Sequence, residues 1–327
     1  MLGDLISKGW EQVAGLFGAT ETSTINLAET SDLHDGAKSG NVGKVQALLE
    51  HPDIQVNEEK EIDGQVHTPL LIAAKYGHHE VVELLLKVDS IQVNFARKGT
   101  GCTALYMAAQ NGNLKVVEQL LKRRDIDVNK TRKTVNKTAD GSSPLIVAAG
   151  RGHEHIVDLF LKRSDVDVNL GSCEIGVTPL LAASYEGHDR IVASLLKRDD
   201  IEVNKSCRVA GYTPLYVATR KGHVSVVKLL LKHKDIQVSK TDHNGVNAML
   251  VALEEKDLEL LCIIMEKAVK PVVENSECIV CLDRRPNVVL FPCGHQNLCS
   301  VCASRLKKEG QGCPIDRMPI FHVHNPV

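Results

Sequence analysis

Aromatic side chains are scarce in this sequence, at 3% of 327 residues, and Trp10 is its one tryptophan. That is little for a compact globule with a jigsaw core, and it suits a stacked helical array built on Leu, Val and Ala. Charge of one sign is missing too. The 39 Lys and Arg residues face 41 Asp and Glu residues, for a formal net charge of -2. Neither a strongly basic nucleic-acid binder nor an acidic solvating chain fits that balance. No apolar run approaches the roughly eighteen residues that a membrane-spanning helix needs. Asp4 and Glu11 interrupt the amino-terminal apolar face, so no unbroken signal core appears. With nothing pointing to secretion, the Asn-x-Ser/Thr triplets at Asn129, Asn136 and Asn204 read as coincidence. The cysteines then read as reduced thiols of a cytoplasmic protein, with the nucleus as the other open compartment.

What the chain does have is internal repetition. Thr68-Pro69-Leu70-Leu71-Ile72-Ala73-Ala74 recurs in variant form from Thr103, Ser143, Thr178 and Thr213, at spacings of 35, 40, 35 and 35 residues. Each copy runs on into an apolar helical stretch such as Val81 to Leu86, and closes at Asn57, Asn94, Asn129, Asn169 or Asn204 after Ile-x-Val or Val-x-Val. A Thr hydroxyl caps a helix start, and Pro tolerates the first turn because its missing N–H would be unpaired there anyway. Ala73-Ala74 permits close approach of the next unit, and Gly77 suits the helix end. These residues closely match the Thr-Pro-Leu-x-x-Ala signature of the ankyrin family, which the chain resembles. The resemblance implies an ankyrin α-solenoid. Degraded flanking units at Leu33 to Asn57 and from Asn247 onward, where Lys256 replaces Gly, are expected as caps, since a terminal repeat must meet water. About seven repeats are expected in all.

The longer third spacing places Lys130 to Ser142, with Arg132, Lys133 and Lys137, in a protruding basic finger. Ahead of the array, Leu2, Leu5, Ile6, Trp10, Val13 and Phe17 share one helical face. A helix covering the first repeat is one reading. A membrane-surface helix is the other, opposed by Lys8 being the one basic side chain there.

Six of the ten cysteines fall between Cys278 and Cys313. Their order is Cys278-x2-Cys281, Cys293-x-His295, Cys299-x2-Cys302 and Cys313-x2-Asp316. Cys-x2-Cys puts two thiolates on one turn at tetrahedral zinc distance. With Asp316 there are eight ligands, enough for two closed sites, which makes the metals structural rather than catalytic. Asp316 is the expected last ligand, with His322 or His324, or an incomplete site, as alternatives. The pattern resembles a RING finger of the inhibitor-of-apoptosis and mind-bomb type. The family's cross-brace implies one Zn2+ on Cys278, Cys281, Cys299 and Cys302, and a second on Cys293, His295, Cys313 and Asp316.

The expected fold class is therefore mostly α: an ankyrin α-solenoid followed by a small zinc-stabilised RING domain. Expected boundaries are 1–28 for the amphipathic segment, 29–268 for the array, 269–277 for a linker, 278–316 for the RING and 317–327 for the tail. The RING resemblance implies an E3 ubiquitin ligase that docks a charged ubiquitin-conjugating enzyme and forms no covalent intermediate. Ile279, Leu306 and Pro314 stand at the family's docking positions, and Arg317 where a cation bridges the conjugating enzyme and ubiquitin. The tail alternates as a short strand; the resemblance implies a RING homodimer formed through such a tail, with Phe321 as the candidate aromatic touching the ubiquitin held by the other subunit. Substrate is expected on the concave face of the array, with Tyr106, Tyr185 and Tyr216 as candidate contacts. His78, His153, His188 and His223 recur at one position and read as structural hydrogen bonders. A non-enzymatic adaptor is the rival reading. A nucleic-acid partner is not expected, because the zinc module is neither strongly basic nor lined with stacking aromatics.

Overall fold

The computed structural model describes residues 32–62, 64–132, 141–268, 289–291, 300–311 and 322–324. The amino-terminal amphipathic segment, with Trp10, and residues 133–140 of the expected finger lie outside the described residues. From Leu33 to Ala268 the chain runs as seven successive helix pairs. These are α1 (Leu33–Ser39) with α2 (Val42–Leu49), α3 (Pro69–Tyr76) with α4 (His79–Leu86), and α5 (Ala104–Asn111) with α6 (Leu114–Lys122). Next come α7 (Pro144–Arg151) with α8 (Glu154–Leu161), and α9 (Pro179–Glu186) with α10 (Asp189–Leu195). The last pairs are α11 (Pro214–Arg220) with α12 (Val224–Lys232), and α13 (Ala248–Glu254) with α14 (Leu258–Ala268).

Each pair starts as its sequence dictates. The side-chain oxygens of Thr68, Thr103, Ser143, Thr178 and Thr213 accept the backbone N–H three residues on, at 3.1 to 3.4 Å. Asn247, in the degraded last unit, keeps the same cap on Leu250 at 3.1 Å. First helices pack side by side in one layer and second helices in another. Between the layers lies one continuous apolar core, from Leu33 through Val82, Leu120, Phe160, Val192 and Leu230 to Ile264. The alanine pairs at 73–74, 108–109 and 148–149 are fully buried, so neighbouring helices approach closely.

Gly152 shows why the helix turn needs glycine. Its φ is +77°, and a Cβ there would lie 2.8 Å from Cε1 of His188 in the next unit. The histidine needs that space to reach back. Nε2 of His78, His153, His188 and His223 meets a backbone carbonyl of the preceding unit at 3.0 to 3.2 Å. These four histidines are structural hydrogen bonders, as expected. In the last unit Lys256 holds the glycine conformation at φ +59°.

The closing asparagines link the loops. Asn129 donates to the carbonyl of Asp165 at 2.8 Å and accepts the N–H of Asp167 at 2.9 Å. Asn57, Asn94, Asn169 and Asn204 make the same two-way bond to the following unit. A second ladder joins it: Arg123, Arg163 and Arg198 each hold the aspartate two residues on and donate to a backbone carbonyl one unit back.

An element the repeat pattern does not announce is the hairpin of β1 (Lys60–Ile62) and β2 (Gln65–His67), antiparallel with Glu61 opposite Val66. Fully buried His34 ties it to α1, its Nε2 lying 2.9 Å from the carbonyl of Glu58 and 3.1 Å from that of His67. In the carboxyl-terminal region, β3 (Val289–Phe291) pairs antiparallel with β4 (His322–His324), and α15 (Ser300–Lys308) packs against β4. The tail strand is therefore formed, and one of its edges is taken by β3. No helix among the described residues is long and apolar enough to cross a membrane.

Candidate functional site

The three tyrosines expected to contact substrate part company in the structure. Tyr106, on α5, is 1% exposed. Arg132 lies over its ring, 5.0 Å from the centroid, and donates to its hydroxyl at 3.0 Å. Arg132 is thus folded back onto the array instead of projecting in the basic finger. Tyr216, on α11, is 3% exposed and stacks on Tyr212 at 4.4 Å between centroids. Burial pushes its hydroxyl pKa up, partly opposed by a hydrogen bond from Arg220 at 3.3 Å. Both occupy the helix position that faces the neighbouring unit, so they fill the core and offer no ring face to a partner. Only Tyr185, on α9 and one turn further along its unit, is open to solvent, at 44%.

Tyr185 borders a feature the sequence reading missed. An apolar cleft of about 340 Å³ lies among α7, α9 and α11, lined by Val177, Leu181, Tyr185, Cys207 and Tyr212. Through Gly150, Ile175 and Ala182 it continues into a second cleft of about 480 Å³ beside Ile146 and Arg151. The cleft arises from two missing side chains. Gly150 stands where the other full units have Lys75, Gln110, Tyr185 and Arg220, and Ala182 stands where they have Ile72, Met107, Val147 and Val217. A sequence signal existed as well: Ile175 takes a loop position held by Gln65, Thr100, Asp140, Ala210 and Asn244 elsewhere, none of them a large apolar residue, and it is 42% exposed.

In the zinc module the described residues include one expected ligand side chain. Cys302 sits in the first turn of α15 and is buried, as is Ala303 after it. That placement suits a zinc ligand. Half-buried Leu306 follows one turn on, and exposed Arg305 is paired with Glu309 at 2.9 Å. Cys278, Cys281, Cys293, His295, Cys299, Cys313 and Asp316 lie outside the described residues, as do Ile279, Pro314, Arg317 and Phe321. His322 and His324 are backbone pairing positions on β4, opposite Phe291 and Val289.

Comparison with known proteins agrees with this architecture. The ankyrin-repeat family model matches three times, over residues 33–132, 131–207 and 199–275. The chain belongs to the ankyrin-repeat family. Residues 274–323 match the C3HC4-type zinc finger, the RING finger, so this ankyrin-repeat chain ends in a RING module with structural zinc. Among solved structures, the ankyrin repeat domain of human ASB11 is 22% identical with a TM-score of 0.57, covering 73% of this chain and 98% of that one. The ankyrin repeat domain of Bcl-3 is 21% identical with a TM-score of 0.60, covering 71% and 96%. These two share its fold.

The curated relatives match the RING-sized portion. The E3 ubiquitin-protein ligase NEURL1B of Homo sapiens is 45% identical over 52 residues, 16% of this chain and 9% of that protein. The probable E3 ubiquitin-protein ligase MGRN1 of Danio rerio is 42% identical over 45 residues, 14% and 8% respectively. The E3 ubiquitin-protein ligase XIAP of Xenopus tropicalis is 43% identical over 51 residues, 16% and 10%. This chain spans about a tenth or less of the length of these curated relatives.

Proposed function

We propose that this ankyrin-repeat chain is a RING-type E3 ubiquitin ligase, in which the array recruits a protein substrate and the RING presents it with a charged ubiquitin-conjugating enzyme. The observation that carries the reading is the RING match at residues 274–323, shared with relatives named as E3 ligases, directly behind a repeat array built for protein contact. Zinc in such a module supplies folding free energy to a segment too short to build its own core. The chain's own residues do the rest. Ile279, Leu306 and Pro314 form the apolar dock for the conjugating enzyme, and the Arg317 guanidinium bridges that enzyme and ubiquitin through its fork of donors. Transfer is then accelerated by positioning: the thioester is held in reach of a substrate lysine, with no covalent intermediate on this chain. The cytoplasm suits this activity, and Cys102, Cys173, Cys207 and Cys262 are unbridged.

Autoubiquitination with E1, ATP and a panel of conjugating enzymes tests the proposal. Wild type is expected to form conjugates, and Ile279→Ala and Arg317→Ala to lose them while keeping their zinc. A chain that binds its zinc and forms no conjugates with any conjugating enzyme is an adaptor instead.

A further inference from the structure

The cleft beside Tyr185 is edged by cations that stand outside any ion pair. On the loop side, arginines are satisfied by their own unit: Arg123–Asp125, Arg163–Asp165 and Arg198–Asp200 close at 2.7 to 2.9 Å. Around the cleft the opposite holds. Arg151, Arg208, Arg220 and Lys221 have no ion-pair partner among the described residues. Lys221 instead lies over the Tyr185 ring, 4.4 Å from its centroid, where the ring face steadies the ammonium without neutralising it. Arg220 is engaged by the Tyr216 hydroxyl and Arg208 by the carbonyl of Cys173, both neutral acceptors. The nearby carboxylates include Glu174, Glu186, Asp242 and Glu255. None closes an ion pair with these cations, though Glu255 acts on Arg220 through space, and Glu186 is the one that lines the cleft. Between the cations, Ile175 and Tyr185 stay about two-fifths exposed, and Val209 is 69% exposed. An apolar slot edged by cations outside any ion pair is complementary to a segment with the reverse arrangement.

We propose that this cleft, opened by Gly150 and Ala182, binds an acidic peptide segment through one aliphatic or aromatic anchor side chain. The anchor enters among Val177, Leu181 and Tyr212, and carboxylates on either side of it meet Arg151, Arg220 and Lys221. Glu186 disfavours an acidic residue at the anchor position itself, so the acids flank the anchor. The proposal deepens the ligase reading by giving the chemical class of its substrate, and it rests on that reading only in calling the bound protein a substrate.

A random peptide library displayed on phage and selected on the immobilised full chain is the test. The enriched peptides are expected to be acidic with a common apolar residue, and to weaken as salt is raised. Lys221→Glu and Tyr185→Ala are expected to weaken an enriched peptide at least tenfold, the size of a hot-spot loss. Gly150→Gln installs the residue that α5 carries at Gln110. It is expected to close the cleft and abolish binding while leaving the melting temperature unchanged or higher. No enrichment, basic or uncharged peptides, or binding indifferent to all three variants would overturn the proposal. Displacement of every enriched peptide by a synthetic peptide of residues 1–31, which sets Asp4, Glu11, Glu21 and Glu29 against Lys8, would overturn it in favour of an occupant within the chain. Autoubiquitination by the same variants separates the two readings, because the cleft lies in the array. Peptide binding without conjugates removes the ligase and leaves the cleft; conjugates without acidic peptides do the reverse.

Discussion

Single residues in this array are judged against their counterparts in the neighbouring units. Ser184 takes the position of Ala74, Ala109 and Ala149, is fully buried, and its Oγ has no hydrogen-bond partner. Thr219, one unit later, solves the same problem by donating to the carbonyl of Leu215 at 2.8 Å. Ser184→Ala is therefore expected to raise stability by about 1 kcal/mol, read as a higher denaturation midpoint, because it removes a desolvated hydroxyl and leaves no cavity. The aspartates of the loop ladder give a pH signature. The hydrogen bond from Arg163 holds the Asp165 carboxyl below its ordinary pKa, and Arg123 and Arg198 do the same for Asp125 and Asp200. A depressed folded-state pKa contributes stability above the unfolded value, near 3.9, and that contribution disappears as pH falls through the folded value. A variant with all three aspartates changed to Asn is expected to unfold more easily than wild type at neutral pH. The gap should close in acid titrations well below pH ~4. These carboxylates are half exposed, so each pair contributes roughly 0.5 kcal/mol or less.

Among the elements, the helix turn is where local and long-range demands meet. Gly152 must both adopt φ +77° and leave room for His188, whereas Gly64, in the turn between β1 and β2, has φ +71° and nothing within 4 Å of a Cβ. Gly64→Ala is expected to cost about 1 kcal/mol, the backbone term alone. Gly152→Ala adds the displacement of the imidazole and is expected to cost roughly 2 kcal/mol or more. Equal losses in chemical denaturation would show that the histidine contact carries no energy. Lys256 holds the same conformation, and among the described residues no histidine of a following unit reaches back to it.

Across the whole molecule, two stabilising principles operate in sequence along the chain. The array has a continuous apolar core, while the RING region relies on metal. Chelation of zinc is expected to unfold the RING region alone, leaving the array's melting transition in place. Cys302→Ser, at a buried position proposed as a zinc ligand, is expected to lower the zinc content without moving the array's transition. Loss of both transitions on chelation would mean that the array depends on the metal.

The repeat period, the capping residues Thr68 to Thr213, the reach-back histidines and the Cys-x2-Cys pairs were all legible in the sequence. They act through neighbours at fixed separation, so a linear pattern contains them. The hairpin at Lys60–His67 was within reach of the same reading, through the Asp63-Gly64 turn signal, but it lies outside the repeat pattern. The fates of the tyrosines were not legible. Tyr106 and Tyr185 look equally suited to a binding face, and only packing between units decides that one is core and the other surface. The cleft was legible only at its rim, through Ile175, because its interior consists of absences. Gly150 and Ala182 become a site only when α7, α9 and α11 stand side by side and no side chain fills the space between them.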